Sequence, residues 1–454
     1  MEWELSSVVS PRAWGMASTH KLLNTFLKRG AVIIMPLSLS GIVNEQIKKP
    51  SPIRQIMKMA ERQNIINMGL NPEEVISFGG GWVNHLAPEE MREEYLKIIS
   101  DVELFHRSGG YSATLGDLKL RKLIAQMEEH VFGMKNLSEK NIIIGQSSTQ
   151  VTHDLFVTLL DPGDSVMLLD PTYANYPGQL AFAGHQLKIH RLPVLDSEKW
   201  QYTPSIPDTI ELFQELYEKN KPKIIIIPTP DNPTSQIMHP RIVEKIQKIA
   251  LDGGSYLVLD AAYKTQYFYE MPSYYAWSPE DYPNLISLHS NSKWARGLGR
   301  RLGWVEASSH VIDGMERVQQ VSILCPDTMH QMAISAYLER AMENGSLIPY
   351  LNQARESYMK AAQNTLKAID ENLEMPRLVP QGGLYTVIQV GMDADKFVTD
   401  VLKHTGVLLI PGRGFGDALK NAVRVSYGPL VLEQEKIFEG MERVGRYLKK
   451  KKII

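Results

Sequence analysis

At 454 residues, 43% hydrophobic and 22% charged, the chain has an ordinary globular composition with room for two or three domains, which excludes general disorder. Lys and Arg number 49 against 51 Asp and Glu, a formal charge of −2, so no overall field draws polyanions and bulk nucleic-acid binding is a poor reading. Cys325 is the only cysteine, which removes intrachain disulfides and Cys-based metal sites and reads as a small buried hydrophobe in a reducing compartment, the cytoplasm.

In chain order, residues 1–34 fit no domain pattern, and Met35 opens a stretch that reads like a native start; residues 1–50 are expected to be an N-terminal extension or arm. The apolar stretch Ala31 to Val43 is broken by Pro36 and serines and falls short of the about 20 residues of a membrane span. No signal-peptide cleavage pattern follows it. The middle of the chain then alternates short apolar runs with amphipathic helical patterns, the mark of βαβ units and a largely parallel sheet. The expected strands are Asn141 to Gly145, Ser165 to Asp170, Lys223 to Pro228, Tyr256 to Asp260, Leu285 to His289 and Gly303 to Ala307. Runs this continuously apolar imply helices on both faces. From about Ser308 the pattern changes to long helices, "TMHQMAISAYLERAME" and "LNQARESYMKAAQNTLKAIDENL". Short strands follow around "GGLYTVIQV", "GVLLIPG" and "AVRVSYG", a second, α+β domain, and the chain closes on a solvated "KKKKII" tail.

Polar residues collect just past the expected strand ends: Ser147, Ser148 and Thr149 after Gly145, Tyr173 after Asp170, Asn232 after Pro228, Tyr263 after Asp260, and Ser290 and Lys293 after His289. In an open parallel sheet, that edge is where ligands bind. Asp260 and Lys293 read in two ways. They form an ion pair at the ends of buried strands, or Asp260 holds a protonated pyridine nitrogen while Lys293 forms an imine, as pyridoxal phosphate requires. The cofactor's further needs are offered at the same edge. "GQSSTQ" supplies hydroxyls and a helix N-terminus for a phosphate, Arg301 a cation, Tyr173 an aromatic face, and Asn232 and Tyr263 donors for a phenolate oxygen.

"DNPTS" (Asp231 to Ser235), "LDAAY" (Leu259 to Tyr263), "SNSKWARGLGRRLGW" and "AVRVSYG" (Ala422 to Gly428) resemble, in order and approximate spacing, the signatures of fold-type I pyridoxal phosphate aminotransferases of class I/II. The resemblance covers about Ser51 to the C-terminus. It implies the aspartate aminotransferase-like fold, an α/β chain with a mostly parallel large domain carrying helices on both faces and a smaller α+β domain. The division would be 51–78 as the N-terminal part of the small domain, 79–330 as the large cofactor-binding domain and 331–454 as the small C-terminal domain.

By the same resemblance, Lys293 carries the cofactor and later moves the proton between the substrate α-carbon and the cofactor. Asp260 keeps the pyridine nitrogen protonated, Asn232 and Tyr263 bond the phenolate oxygen, and Tyr173 stacks on the ring. Ser148, Thr149, Ser290 and Arg301 hold the phosphate with Ser147 a near neighbour, Arg424 grips the substrate α-carboxylate, and Tyr111 reaches the phosphate of the partner in a homodimer. Where relatives have a Gly-Gly-x-Pro loop over the substrate, this chain has "GGGWVN", so Gly80, Gly81 and Trp82 are expected at a substrate pocket of altered shape. With Tyr173 and Tyr176, Trp82 points to an aromatic or large aliphatic substrate side chain.

Arg296 and Arg300 read as solvent or interface charges, "GRGFG" (Gly412 to Gly416) as a small-domain turn rather than a dinucleotide loop, and His85, His106 and His153 as core or surface histidines without metal-ligand spacing. Three functions follow. The first is an aminotransferase exchanging an amino group between an L-amino acid and a 2-oxo acid by a ping-pong course. The second is a β-eliminating C–S lyase or decarboxylase on the same scaffold. The third, a regulator with an aminotransferase-like sensor, lacks the N-terminal helix pair for DNA that it needs.

Overall fold

The continuous apolar runs become a seven-stranded sheet in the computed structural model, which describes residues 38–49, 51–184 and 186–452. The chain divides into two units, 1–49 and 50–454. The first is described from residue 38 and contains the helix Gly41–Lys48; the expected extension over 1–34 lies outside the described residues. Among the described residues no helix is long and apolar enough to cross a membrane.

The second unit holds β1 (Ile142–Gly145), β2 (Ser165–Asp170), β3 (Lys188–Pro193), β4 (Ile224–Pro228), β5 (Tyr256–Asp260), β6 (Leu285–Ser290) and β7 (Gly303–Glu306), ordered β1-β7-β6-β5-β4-β2-β3. β7 runs antiparallel to β1 and β6; the other pairs are parallel. Successive side chains of a strand point to opposite faces, and here both faces are covered. On β4, Ile225 and Ile227 pack with Phe213, Tyr217, Ile242 and Ile246 of the helices Ile206–Asn220 and Pro240–Asp252. Ile224 and Ile226 pack on the other face with Val151, Leu155, Val311 and Met315 of the helices Ser148–Leu159 and Ser309–Ser322. Register then aligns the strand ends, with Pro228 opposite Asp260 and Asp260 opposite Leu288, so the segments after β4, β5 and β6 emerge together.

The C-terminal part forms a three-stranded antiparallel sheet from β8 (Tyr385–Gln389), β9 (Ile410–Pro411) and β10 (Ala422–Ser426). It packs with the helices Leu347–Asn372, Ala394–Thr405 and Glu435–Lys450 through Tyr358, Phe397, Val401, Met441 and Val444. Ile56, Ile65 and Phe78 lie in that same core, and Ile76–Ser77 pairs in parallel with Val407–Leu408. The segment after residue 50 is thereby tied to the far end of the sequence.

Candidate active site

The site begins where β1 turns into the helix Ser148–Leu159. A Cβ on Gly145 would stand 2.4 Å from Val151 Cγ1, and one on Gly303 2.5 Å from the Ser148 nitrogen, so two glycines permit the close turn. Ser147 caps the helix, its hydroxyl accepting from Gln150 N at 3.2 Å. Ser148 and Thr149 are left facing a cavity at the positive end of the helix.

Asp260 enters the cavity from the end of β5. Its Oδ2 accepts from Tyr176 OH at 2.6 Å and its Oδ1 from Ala262 N at 3.1 Å. Removal from water pushes its carboxyl above the usual range, against those two bonds and the positive charge of Lys293. Lys293 sits on the single turn Asn291–Trp294, which Ser290 caps by accepting from Ser292 N at 3.2 Å. Its Nζ donates to Gly81 O and stands 5.2 Å from the Tyr263 ring centroid. Burial, then the charges of Arg424 and Arg301, push the amine down to about 8 against the pull of Asp260. The lysine's hydrogen bond thus goes to a backbone carbonyl rather than to Asp260.

Arg424, on β10, donates NH1 to Asn232 Oδ1 at 3.0 Å and NH2 to Gly79 O at 2.8 Å, between the rings of Tyr385 and Phe415 at 4.4 and 4.9 Å. Its Nε is buried with no partner among the described residues. A buried guanidinium with an unused donor on a cavity wall is suited to an anion. The hydroxyls of Tyr263 and Tyr385 are 2.5 Å apart.

These groups surround a cavity of about 350 Å³. Ser148, Thr149, Ser290 and Arg301 line it, as do Tyr173, Asn232, Asp260, Tyr263 and Lys293. Gly80, Gly81, Trp82 and Arg424 complete the expected set. The Trp82 indole folds back on Gly80, where a Cβ would stand 2.0 Å from the ring. Two expected residues lie elsewhere. Ser147 spends its hydroxyl on the helix cap, and Tyr111 is 87% exposed, outside the cavity of its own chain. Tyr176, expected beside the substrate side chain, instead donates to Asp260 and does not line the cavity. Arg296 and Arg300 were expected as solvent or interface charges; Arg296 donates to Asn84 Oδ1 at 2.8 Å, and Arg300 lies 5.2 Å from the Tyr95 ring. The sequence reading missed Ile53, Arg54, Met57, Tyr385 and Phe415 on the cavity wall; Tyr385 stood in the small-domain strand "GGLYTV" and Phe415 inside "GRGFG", the motif read only as a turn.

The pattern of the family aminotransferase class I and II matches residues 73–443. The chain belongs to that family and is an aminotransferase. It is 26% identical over 415 residues to aromatic-amino-acid aminotransferase 2 of Thermococcus litoralis, covering 90% of this chain and 98% of that one. It is also 26% identical over 410 residues to an aspartate aminotransferase of Pyrococcus horikoshii, covering 89% and 96%. Among solved structures, a single mutant of Thermus thermophilus aspartate aminotransferase superposes with a TM-score of 0.77 at 23% identity, over 90% of this chain and all of that one. The fold is aspartate aminotransferase-like.

Proposed function

We propose that this aminotransferase works with pyridoxal phosphate in the cavity around Lys293, exchanging an amino group between an L-amino acid and a 2-oxo acid by a ping-pong course. The observation that carries it is the meeting of Asp260 and Lys293, from the ends of neighbouring strands β5 and β6, with a helix N-terminus and Arg301 on one cavity. The family assignment favours transamination over a C–S lyase or decarboxylase.

The residues suit the group. Asp260, held by two donors away from bulk water, fits a cationic ring nitrogen, and the unused Arg424 Nε fits a carboxylate. When bound, the cofactor supplies an electron sink for the substrate α-carbon and carries the amino group between half-reactions. Ser148, Thr149, Ser290, Arg301 and the first N–H groups of the helix Ser148–Leu159 hold the phosphate. Asp260 keeps a proton on the ring nitrogen, Asn232 and Tyr263 donate to the phenolate oxygen, and Tyr173 covers a ring face. Lys293 is the point of attachment. With its amine pushed down to about 8, a useful fraction is neutral near neutral pH to take the α-proton and return it. Arg424 receives the α-carboxylate. Borohydride reduction of the holoenzyme and peptide mapping are expected to place the label on Lys293; label on Lys264 or Lys223 overturns the assignment.

Ile53, Met57 and Trp82 support an aromatic or large aliphatic substrate side chain. Arg54, exposed on the same wall, favours an acidic one as a second reading. Comparing kcat/KM for phenylalanine, leucine and glutamate separates them.

The working unit in this reading is a homodimer in the cytoplasm. The part of the second unit from 79 to 330 acts as the large domain, and 51–78 with 331–454 as the small one. Tyr111 supports the dimer. At 87% exposure it shares its neighbourhood in sequence with Ile99, Val102 and Phe105, at 54%, 87% and 54%, apolar surface suited to burial against a second copy. Lys293→Ala and Tyr111→Ala chains, each inactive alone, are expected to regain activity when co-expressed and isolated as a doubly tagged heterodimer, which carries one intact site. A fully active monomer in sedimentation refutes the dimer; an inactive heterodimer refutes the role of Tyr111.

A further inference from the structure

His85 follows the segment Gly79–Trp82 that walls the cavity, and it is buried. Its Nδ1 lies 2.7 Å from Tyr358 OH. The same phenol oxygen faces the amide N–H of Asn84 at 3.2 Å and of His85 at 3.3 Å. A phenol has one hydrogen and two lone pairs. The two amides occupy the lone pairs, so the hydrogen goes to Nδ1, which must carry none of its own. The ring proton is therefore on Nε2, whose neighbours are the Trp294 carbonyl at 3.0 Å and Tyr350 OH at 3.1 Å. Trp294 is the residue after Lys293. Arg296 binds the adjacent Asn84, whose Nδ2 reaches Pro429 O at 3.1 Å.

We propose that His85, as its Nε2–H tautomer, is a positioning residue that fastens the segment over the cavity to the backbone beside Lys293. The inference rests on the reading of Gly79–Trp82 as a substrate wall. One imidazole joins that segment, the residue after the cofactor lysine, and the helix Leu347–Asn372 through Tyr350 and Tyr358. Protonation undoes the join, because a hydrogen on Nδ1 would meet an oxygen whose lone pairs are taken. Among the described residues, the charged or titratable groups facing the ring are Arg296, Tyr350 and Tyr358. None of them is a carboxylate to stabilise an imidazolium.

Burial lowers the pKa of His85; the Trp294 carbonyl opposes this, and Arg296 lowers it further. A segment released from the cavity has an ordinary imidazole, near about 6.5. The released form gains its proton first, so docking is intact above that value and weakens as pH falls below it. The amino-acid KM rises accordingly.

The test uses the full holoenzyme with 15N-labelled imidazoles, the His85 signals being those lost in His85→Gln. At pH about 7.5 a protonated Nε2 and a bare Nδ1 are expected, whatever reaction the enzyme favours. A hydrogen on Nδ1 overturns the proposal while leaving the assignment of the active site untouched. In kinetics, His85→Gln keeps a donor near Nε2 but does not titrate. The rise in KM from pH about 7.5 to about 5.5 is expected to be at least about threefold steeper in the wild type than in this variant. Tyr358→Phe is expected to raise KM about tenfold with kcat within about twofold, as for an interaction made equally before and in the transition state. Parallel KM profiles for the wild type and His85→Gln overturn the role.

Discussion

Replacing Asp260 with alanine is expected to leave the chain folded and cofactor bound, yet to lower turnover at least about a thousandfold, roughly 4 kcal/mol of barrier. Among the described residues, the carboxylate is the only acidic group on the cavity wall. Tyr176 OH and Ala262 N–H both donate to it, and both bonds favour its charged form although burial opposes that charge. An ionised carboxylate at this place keeps a proton on a ring nitrogen; a neutral side chain of the same shape does not. Asp260→Asn is therefore expected to fall with alanine rather than with the wild type. Steady-state rates, read beside the cofactor content of each preparation, check this. Turnover of the asparagine variant within about tenfold of wild type contradicts the role.

How much of this was legible in the sequence depends on how local each feature is. The central strands were, because burial on both faces leaves an uninterrupted apolar run, as in β4, where every residue is buried. The edge strand β3 was not. With one side unpaired it carries Lys188, His190 and Arg191, and its residues are mostly part-exposed or exposed, so no run marks it. The cavity residues that sit directly past strand ends were found from that placement alone. Ser147, Ser148 and Thr149 could not be told apart by type, since which hydroxyl caps the helix and which faces the cavity depends on the turn. His85 and Arg296 were unreadable for another reason. Their partners, Tyr358 and Asn84, lie 273 and 212 positions away, and only the folded chain brings them together.

The buried pair beneath the site illustrates the same limit and carries the largest effect expected on stability. Lys264, the residue after Tyr263, forms a salt bridge with Glu128 of the helix Leu118–Phe132, their side chains only 4% and 1% exposed. Its Nζ also lies 4.2 Å from the Phe132 ring centroid. Beyond Glu128, His289 stacks on Trp304 at 4.9 Å and stands 3.0 Å from Glu306 and 3.7 Å from Glu128. Burial, then the charge of Glu306, push the carboxyl of Glu128 up, while Lys264 and His289 oppose them. Lys264→Met strands Glu128 beside a second carboxylate and is expected to cost about 3–5 kcal/mol in denaturant unfolding. Glu128→Leu combined with Lys264→Met removes both charges and is expected to recover most of that loss, so the cycle isolates the pair. The sign with pH follows. In Lys264→Met the folded carboxyl of Glu128 titrates above the unfolded value of about 4.3, and its penalty grows as pH rises past that value. The deficit against wild type should be larger at pH about 8 than at about 5; a deficit independent of pH, with no recovery in the double variant, would mean that lost packing rather than the stranded charge destabilises the chain.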